Sequence, residues 1–402
     1  MAIHIKIPMT IQPPVKIGLA SLIENPPRWL EDKRLGLLCN QASILFDGHK
    51  FYHAADVIKE VFSNKLRCLF TPQHGLFAEK QDNMVESADG VWNELSVFSL
   101  YGTHRQPTTS QLEELDILLV DLQDVGTRVY TFIWTLFLAM EACARHNKAV
   151  AILDRPNPIG GDAVEGNLLQ SKFRSFVGMD TIPMRHGMTI GELAGMFQAK
   201  YFSNLELFII PMQGWRRYMA FEDTGLPWVM PSPNMPCIET AFVYPGQVLL
   251  EATNLSEGRG TTRPFELFGA PYLRCTNVAM HVEKWRLPGF FLREQHFEPT
   301  FHKWAGQPCH GFQIHVTDRR SFKPYSTSLA LVSLIIQLHR QDFQWKSPPY
   351  EYEFEKLPAD LIIGNQELRK ALEAGADSTE LHGLWQKEEE HFKEARRPFL
   401  LY

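Results

Sequence analysis

The stretch DILLVDLQDVGTRVYTFIWTLFLAMEACARHNKAVAILDRPNP, residues 116–158, decides the fold of this chain. It contains two short aliphatic runs, 117–121 and 149–153, and between them a segment in which apolar residues recur at helical spacing. Short aliphatic runs are typical of strands buried on both faces, and a helix between two of them indicates a right-handed crossover between parallel strands. The stretch therefore predicts one strand–helix–strand unit of a parallel sheet.

The same alternation of strand and helix extends through the first half of the chain. Aliphatic runs predict further strands at 35–40, 67–71 and 207–211. The segment HAADVIKEVFSN, residues 53–64, has its apolar residues on one helical face, as in a helix that packs against a sheet. We therefore predict an α/β fold, with a Rossmann-like, mostly parallel sheet and helices on both faces.

A second, smaller domain is predicted after this sheet. The proline-rich stretch LPWVMPSPNMPCIETAFVYPG, 226–246, cannot form regular structure for long and indicates a boundary. A strand is expected at the start of QVLLEATNLSEGRGTTRPFE, 247–266, followed by a strand at 311–318 and a helix at 326–341. We predict a Rossmann-like domain over 15–235, a smaller C-terminal α/β domain over 236–402, and a cleft between them.

Composition and charge restrict the class of partner. With 402 residues, 45% of them apolar and 21% charged, the chain is typical of a soluble globular protein. The net charge of −6 comes from 40 basic and 46 acidic residues without long runs of one sign, which argues against a nucleic-acid or anionic-membrane surface. No run approaches the ~20 apolar residues of a membrane span, and the N-terminus lacks a secretory apolar core. We expect a cytoplasmic protein as written, with a secreted or periplasmic location open for a trimmed chain, and a small-molecule or oligosaccharide partner.

Several familiar site motifs are missing from the sequence. The six cysteines are scattered, with no CxxC pair and no zinc-ligand spacing, so neither a disulfide framework nor a metal site is indicated. GxGxxG and GxxxxGK[ST] are absent, which disfavours a nucleotide-dependent enzyme, and so are GxSxG and HExxH. We therefore expect no cofactor and no metal.

Polar residues gather directly after the predicted strands. Because the carboxyl ends of parallel strands share one edge of a sheet, we expect these side chains to line a single crevice. A mixture of amides, carboxylates and cations suits a polyhydroxylated, amide-bearing ligand such as an amino sugar. The residues in question are Asn40, Gln41, Gln73, His74, Gln123, Asp124, Arg128, Asp154, Arg155 and Asn157.

A loop near residue 186 is a candidate anion site. Thr189 followed by Glu192 is a capping-box pattern, so a helix is expected to start there, with Arg185 and His186 in the loop before it. Positive charge beside the free N–H groups of a helix start attracts an anion, although an ordinary ion pair is an alternative role for Arg185. Other candidate carboxylate clamps are Arg128, Arg155 and Arg259.

Eight blocks occur in order along nearly the whole chain. They are PQHG (72–75), SLYG (99–102), DLQDVGTRVYTF (121–132), DRPNPIGG (154–161), VEGNLL (164–169), IPMRHGMTIGELA (182–194), PSPNMP (231–236) and TNLSEGRGTTRPFELFGAP (253–271). Together they resemble the NamZ-type exo-β-N-acetylmuramidase family, long catalogued as a domain of unknown function. The resemblance implies a glycosidase that releases N-acetylmuramic acid from the non-reducing end of peptidoglycan fragments, with its site in the cleft between the two domains.

One position departs from the family pattern. The family carries Glu in the block written here as PQHG, and the resemblance implies that this carboxylate is catalytic, whereas this chain has Gln73. A neutral amide can hold a sugar but cannot transfer a proton or act as a carboxylate nucleophile. Either a nearby acid such as Glu79 or Glu86 replaces it, and we favour Glu79, or the protein is a non-catalytic or altered-specificity amino-sugar-binding protein.

Glycoside hydrolysis typically uses two carboxyl groups that flank the scissile bond. We select Glu79 and Glu165 first, with Asp124 in reserve and His74 as a proton-transfer group. Structural alternatives stay open, since Asp124 can pair with Arg128, Glu165 can lie in a turn, and His74 can be a buried structural histidine. Further residues expected to bind substrate are Tyr130, Asn234, Asn254, Glu257 and Arg259.

Overall fold

The computed structural model describes residues 15–62, 65–81, 84–285 and 287–402. The strands of its first half are β1 (Leu35–Cys39), β2 (Ile44–Phe46), β3 (Phe51–His53), β4 (Leu66–Thr71), β5 (Gly90–Trp92), β6 (Leu95–Ser99), β7 (Ile117–Asp121), β8 (Ala149–Leu153) and β9 (Leu207–Ile210). All except β2 and β3 form one seven-stranded sheet in the order β5, β6, β4, β1, β7, β8, β9. Every neighbouring pair is parallel except β5 with β6. The predicted mostly parallel sheet is confirmed.

Helices cover both faces of this sheet. They are α1 (Gly18–Glu24), α2 (Ala54–Val61), α3 (Thr109–Glu113), α4 (Phe132–Arg145) and α5 (Ile190–Tyr201). Alternate residues of β7 enter two separate apolar cores, Leu118 and Val120 on the face of α4 and α5, Ile117 and Leu119 on the face of α1 and α2. The predicted helices on both faces are therefore confirmed.

Two earlier predictions reach residues that the structure leaves out. The helix predicted over 53–64 is present as α2, but its last two positions, 63–64, lie outside the described residues. The N-terminal residues 1–14, on which the expectation about a secretory signal depends, lie outside them as well. Within the described ranges, no helix has the length and apolar character needed to cross a bilayer.

The strand order creates a switch point beside β1. From β1 the chain moves to β4 on one side and then returns to β7 on the other side, so the connections leave these strands in opposite directions. In open sheets of this kind a crevice forms where the carboxyl ends of the strands diverge. The turns after β1, β4 and β7 therefore lie at the edge where a ligand is expected.

The second half of the chain forms a smaller α/β domain. Its strands β10 (Leu267–Ala270), β11 (Phe290–Phe297) and β12 (Cys309–Val316) form an antiparallel sheet in the order β10, β12, β11. Its helices are α6 (Ile238–Gln247), α7 (Cys275–Trp285), α8 (Pro324–Leu338), α9 (Pro358–Ile363), α10 (Gln366–Ala374), α11 (Ser378–Gly383) and α12 (Gln386–Arg396). This is the predicted two-domain α/β architecture.

The strand expected after residue 247 is absent, and that prediction is wrong. Residues 238–247 form α6 despite Pro245, and the next segment, Val248–Ala252, is a 3-10 helix. The apolar residues pack against α8 instead of a sheet, and the two helices approach so closely that a Cβ at Gly246 would lie 2.0 Å from the Pro324 carbonyl oxygen. Tertiary packing therefore overrides the apparent strand preference of this run.

The C-terminal residues return to the first domain. The Tyr402 hydroxyl donates to the Asp154 carboxylate at 2.7 Å, and the Leu401 N–H donates to Glu192 at 2.8 Å. Arg396, at the end of α12, donates to the Gly161 carbonyl at 2.9 Å. The end of the chain therefore fastens the second domain to the carboxyl end of β8 and the start of α5.

We expect Tyr402→Phe to lower the free energy of unfolding by about 1–2 kcal/mol, because the hydroxyl both donates to Asp154 and accepts the Met212 N–H. Burial already raises the pKa of Asp154 to about 6, and the loss of a donor would raise it further. Urea unfolding of the variant measures the change. Tyr218→Phe is the control, since Tyr218 is 63% exposed, and equal stability of both variants would contradict the expectation.

Candidate active site

A cleft of about 460 Å³ lies between the two domains at the carboxyl edge of the parallel sheet. Its first wall comes from the turns after β4 and β7, and its second wall comes from segments of the C-terminal domain. Its polar and aromatic lining residues include Gln73, His74, Tyr130, Ser232, Asn234, Tyr244, Glu251, Arg259, Tyr350 and Glu351. The cleft predicted between the domains is therefore present, with carboxyl, amide, imidazole and guanidinium groups on its surface.

The turn after β4 places His74 in this cleft. Both His74 and Gly75 have left-handed backbones, with φ of 74° and 79°, and non-glycine residues adopt this conformation mainly where the surroundings enforce it. The His74 ring nitrogen Nδ1 lies 2.6 Å from the Lys80 carbonyl oxygen, so it carries a proton and donates there. This bond fixes the orientation of an imidazole that lines the cleft.

Glu351 is a buried carboxyl group held by both domains. The Tyr101 hydroxyl donates to its Oε2 at 2.6 Å, and the Gln73 amide Nε2 donates to its Oε1 at 3.2 Å. The Thr131 hydroxyl donates to the Gln73 Oε1 at 2.6 Å, which fixes the amide with its nitrogen toward Glu351. Burial raises the pKa of Glu351, so the structure holds a carboxyl group with increased proton affinity beside the amide of Gln73.

Glu251 is a second carboxyl group on the same cleft, and a guanidinium group and a tyrosine hydroxyl group contact it. Arg259 donates to its Oε1 at 2.6 Å, and the Tyr350 hydroxyl donates to its Oε2 at 2.6 Å. Tyr350 directly precedes Glu351 in the chain, so one short turn carries Glu351 and also contacts Glu251. The cleft therefore contains one acid beside neutral donors and one acid paired with a guanidinium group.

A charged cluster supports Arg259 from behind. Its Nε lies 3.3 Å from Glu257, which also contacts Lys303 at 2.8 Å and His302 at 3.2 Å. Burial alone would raise the pKa of Glu257, but the charges and hydrogen bond of these three neighbours hold it well below its usual range. Glu257 is thus an ionised anchor for the guanidinium group and does not itself line the cleft.

Five residues predicted from the sequence are brought together in the cleft. They are Gln73, His74, Tyr130, Asn234 and Arg259. Two others, Gln123 and Arg155, line a separate, mostly apolar cavity of about 660 Å³ on the same edge of the sheet. Within that cavity Arg155 is already paired with Asp121, at 2.9 Å from Nη2 to Oδ2. The edge of the sheet therefore carries two cavities instead of one crevice.

Arg128 and Glu165 are placed elsewhere. The buried Arg128 guanidinium donates to four backbone carbonyls, so it holds main chain and is not available as a carboxylate clamp. The Glu165 carboxylate accepts the N–H groups of Tyr325 at 3.3 Å and Ser326 at 2.8 Å, at the start of α8. Because its oxygens satisfy the free donors of a helix start, the structure assigns Glu165 to the domain contact.

Asp124 and His186 form a buried pair outside the lining of the cleft. Their Oδ2 and Nε2 atoms are 3.3 Å apart, and the Met188 N–H donates to His186 Nδ1 at 3.1 Å. Asp124 also accepts the Gly126 N–H at 2.7 Å, so the pair stabilises the loop after β7. Glu79, the acid favoured from the sequence, is exposed on the loop after β4 and does not line the cleft.

The remaining predicted side chains are used in internal hydrogen bonds. Asn40, Gln41, Asn157, Arg185 and Asn254 donate to the carbonyls of Pro231, Met230, Met188, Ile159 and Asp342, respectively. Asp154 accepts from Thr189 and from the Gly191 N–H, both at 2.8 Å. These polar groups shape the loops around the edge of the sheet and do not face the cleft.

Sequence reasoning did not select Glu351, Tyr350 or Glu251. Glu351 lies in the run YEYEFEK, which has no motif or strand signal, and it is 278 residues from its partner Gln73. Of the lining residues that the C-terminal domain contributes, Arg259 in the loop EGRG, 257–260, is the one that the sequence predicted. The second half of the site therefore depends on domain packing that no local pattern reveals.

Comparisons with known proteins agree with each other. The family models for the exo-β-N-acetylmuramidase NamZ match residues 35–239 with the N-terminal domain and 242–402 with the C-terminal domain. The peptidoglycan β-N-acetylmuramidase NamZ of Bacillus subtilis (strain 168) is 39% identical over 396 residues, 97% of this chain and 92% of that protein.

Two crystal structures of DUF1343 family proteins from Bacteroides fragilis NCTC 9343 share the fold. One has a TM-score of 0.86 and 31% identity and covers 98% of this chain and 100% of its own. The other has a TM-score of 0.74 and 28% identity and covers 96% and 99%, respectively. The likeness therefore extends over both domains and the cleft between them.

Proposed function

The chain belongs to the NamZ family of exo-β-N-acetylmuramidases, and we propose that its inter-domain cleft hydrolyses the bond of a terminal N-acetylmuramic acid in peptidoglycan-derived sugars. The observation that carries this assignment is the pair of carboxyl groups, Glu251 and Glu351, on one cleft between the domains. Glycosidases typically need two such groups in different protonation states. The substitution at Gln73 therefore does not deprive the cleft of acids.

Glu351 is the proposed general acid. Burial and the like charge of Glu251 favour the protonated form, against the hydrogen bonds from Tyr101 and Gln73. From this form Glu351 gives its proton to the leaving glycosidic oxygen as the bond from C1 to that oxygen breaks. Glu251, paired with Arg259, supports the positive charge that develops at C1. Water then supplies the hydroxyl group at C1 and returns one proton to the carboxyl pair.

The other lining groups are proposed to hold the sugar. His74 and Asn234 offer directional hydrogen bonds to hydroxyl and N-acetyl groups, and Tyr130 and Tyr244 offer aromatic surface to the ring. Arg259 is the guanidinium group among the described lining residues and is the proposed attraction for the lactyl carboxylate. Gln73 is proposed to orient Glu351 and not to transfer a proton itself.

The direct test is release of N-acetylmuramic acid. Purified protein is incubated with a chromogenic β-N-acetylmuramide and, as the matched control, with the β-N-acetylglucosaminide that lacks the lactyl group. We expect turnover of the first and much slower turnover of the second. A folded protein that binds the muramide but releases no chromophore would instead be a non-catalytic sugar-binding protein.

We expect Tyr350→Phe to lower kcat about tenfold, because Glu251 loses its second donor and its carboxylate is less firmly oriented. Steady-state kinetics on the chromogenic muramide measures the change. Tyr218→Phe is the control, since Tyr218 is 63% exposed and does not line the cleft. Equal kcat for the two variants would argue against a role for Glu251 in turnover.

We also propose the division of the chain into domains at residues 15–235 and 236–402, and a cytoplasmic location. The boundary is supported by the start of α6 at Ile238, which packs with α8 of the second domain. The location is supported by six free cysteines, since thiols persist in reducing compartments. Fractionation of cells with an antibody against the protein tests the location.

A further inference from the structure

Arg105 lies over three aromatic rings, and two of them, those of Tyr101 and Tyr352, are beside the proposed general acid. Its guanidinium carbon is 4.0 Å from the ring centroid of Tyr101 and 4.0 Å from that of Tyr352, and 4.8 Å from that of Phe176. A guanidinium group over an aromatic face is attracted by the ring electrons and also packs flat against it. Arg105 therefore joins a loop of the first domain to the turn that follows Tyr350 in the second.

The two rings are the immediate neighbours of Glu351. Tyr101 donates its hydroxyl to the Glu351 carboxyl group at 2.6 Å, and Tyr352 is the next residue in the chain. The rings themselves meet edge to face, 5.9 Å apart between centroids. A displacement of Arg105 would therefore move the Glu351 carboxyl group in two ways, through its hydrogen-bond donor Tyr101 and through the backbone that it shares with Tyr352.

The backbone at Glu351 needs such support. Glu351 and Tyr352 have φ of 46° and 66°, in the left-handed region, within a tight turn closed by two 2.9 Å bonds between Tyr350 and Glu353. Left-handed non-glycine residues cost free energy and persist only where contacts enforce them. The stacked guanidinium group adds to the hydrogen bonds from Tyr101 and Gln73 that hold this turn against the first domain.

We propose that Arg105 is a positioning residue of the proposed reaction: it holds the Tyr350–Glu353 turn closed, so that the Glu351 carboxyl group faces the scissile oxygen. The inference rests on the proposed function. Arg105 acts through Tyr101 and Tyr352 and does not line the cleft.

Arg105 also carries a charge that Glu351 senses. Burial and the like charge of Glu251 raise the pKa of Glu351. The hydrogen bonds from Tyr101 and Gln73 and the positive charge of Arg105 lower it. Removal of the cation would therefore raise the pKa of Glu351 further. If the general acid stays protonated to higher pH, the alkaline limb of the pH–rate profile moves to higher pH.

The test compares Arg105→Met and Arg105→Lys with wild type on the chromogenic muramide between pH 5 and 9. We expect Arg105→Met to lower kcat about thirtyfold, with KM changed less than about threefold, and to move the alkaline limb of kcat/KM to higher pH. We expect Arg105→Lys to lower kcat less and to leave the limb in place, because it keeps the charge but not the planar stack.

Arg319→Met is the matched control, since Arg319 stacks on Phe242 at 4.7 Å, away from the cleft. Tyr352→Leu removes one aromatic face while the Arg105 charge stays, so it should lower kcat without moving the limb.

Thermal unfolding is recorded for each variant. Wild-type kcat and an unmoved limb in Arg105→Met, or loss of activity that only follows loss of folding, would overturn the positioning role, whereas an inactive wild type would overturn the proposed function itself.

Discussion

Replacement of Glu351 by Gln should lower kcat on the chromogenic muramide about a thousandfold while the protein stays folded. Gln keeps the size of the side chain and an oxygen that accepts from the Tyr101 hydroxyl, but it has no proton to give to the leaving group. Substrate binding should change little, because the lining of the cleft is otherwise intact. Single-turnover kinetics and a binding titration separate the two effects.

The pH dependence of stability gives an independent readout for the same variant. The folded-state pKa of Glu351 is raised by burial, so the folded protein binds this proton more tightly than the unfolded chain does. In wild type this group therefore lowers stability as pH rises from its unfolded pKa of about 4.3 through the raised folded value. Glu351→Gln should lose that contribution and become relatively more stable above this window.

Glu79→Gln is the control that decides between the two assignments. Glu79 is exposed on the loop after β4, so its replacement should leave both kcat and stability near wild type. A thousandfold loss in Glu79→Gln, with normal turnover in Glu351→Gln, would restore the acid favoured by the sequence and remove Glu351 from the mechanism.

Replacement of Arg128 by Met should lower the free energy of unfolding by about 3–5 kcal/mol. The guanidinium group is fully buried and donates to the carbonyls of Asn167 and Ile182 in the first domain, at 2.8 and 2.9 Å. It also donates to Ile362 and Ile363 of the second domain, at 2.9 and 2.8 Å. Met fills much of the volume but leaves these carbonyls without their donor.

Denaturant unfolding measures this loss, and Arg145→Met is its control. Arg145 is at the exposed end of α4 and pairs with Glu141 only one helical turn away, so its removal should cost less than about 0.5 kcal/mol. A loss below about 1 kcal/mol in Arg128→Met would mean that water replaces the guanidinium group at the domain contact.

The sequence predicts the parallel sheet well because its signal is local. The runs 117–121 and 149–153 coincide with β7 and β8, and the helix between them is α4. Buried strands and amphipathic helices follow from periodicity within a few turns of chain. The antiparallel pair β5 and β6 was not predicted, since β5 has only three residues at the edge of the sheet and both strands are partly exposed.

The candidate site is only half visible to the same reasoning. Strand ends give Gln73 and His74, which do line the cleft. They also give Asp154 and Arg155, which do not, because Tyr402 covers Asp154 and Asp121 pairs with Arg155. These partners are distant in sequence or lie within a strand, and no spacing rule connects them to the residues they contact.

The return of the C-terminal residues to the first domain has a consequence for how the molecule comes apart. Since Arg396, Leu401 and Tyr402 bond to the ends of β8 and α5, neither half can separate without exposing the carboxylate that Tyr402 covers. The two halves should consequently melt in one cooperative step, and a protease that trims the last turn would loosen the first domain as much as the second.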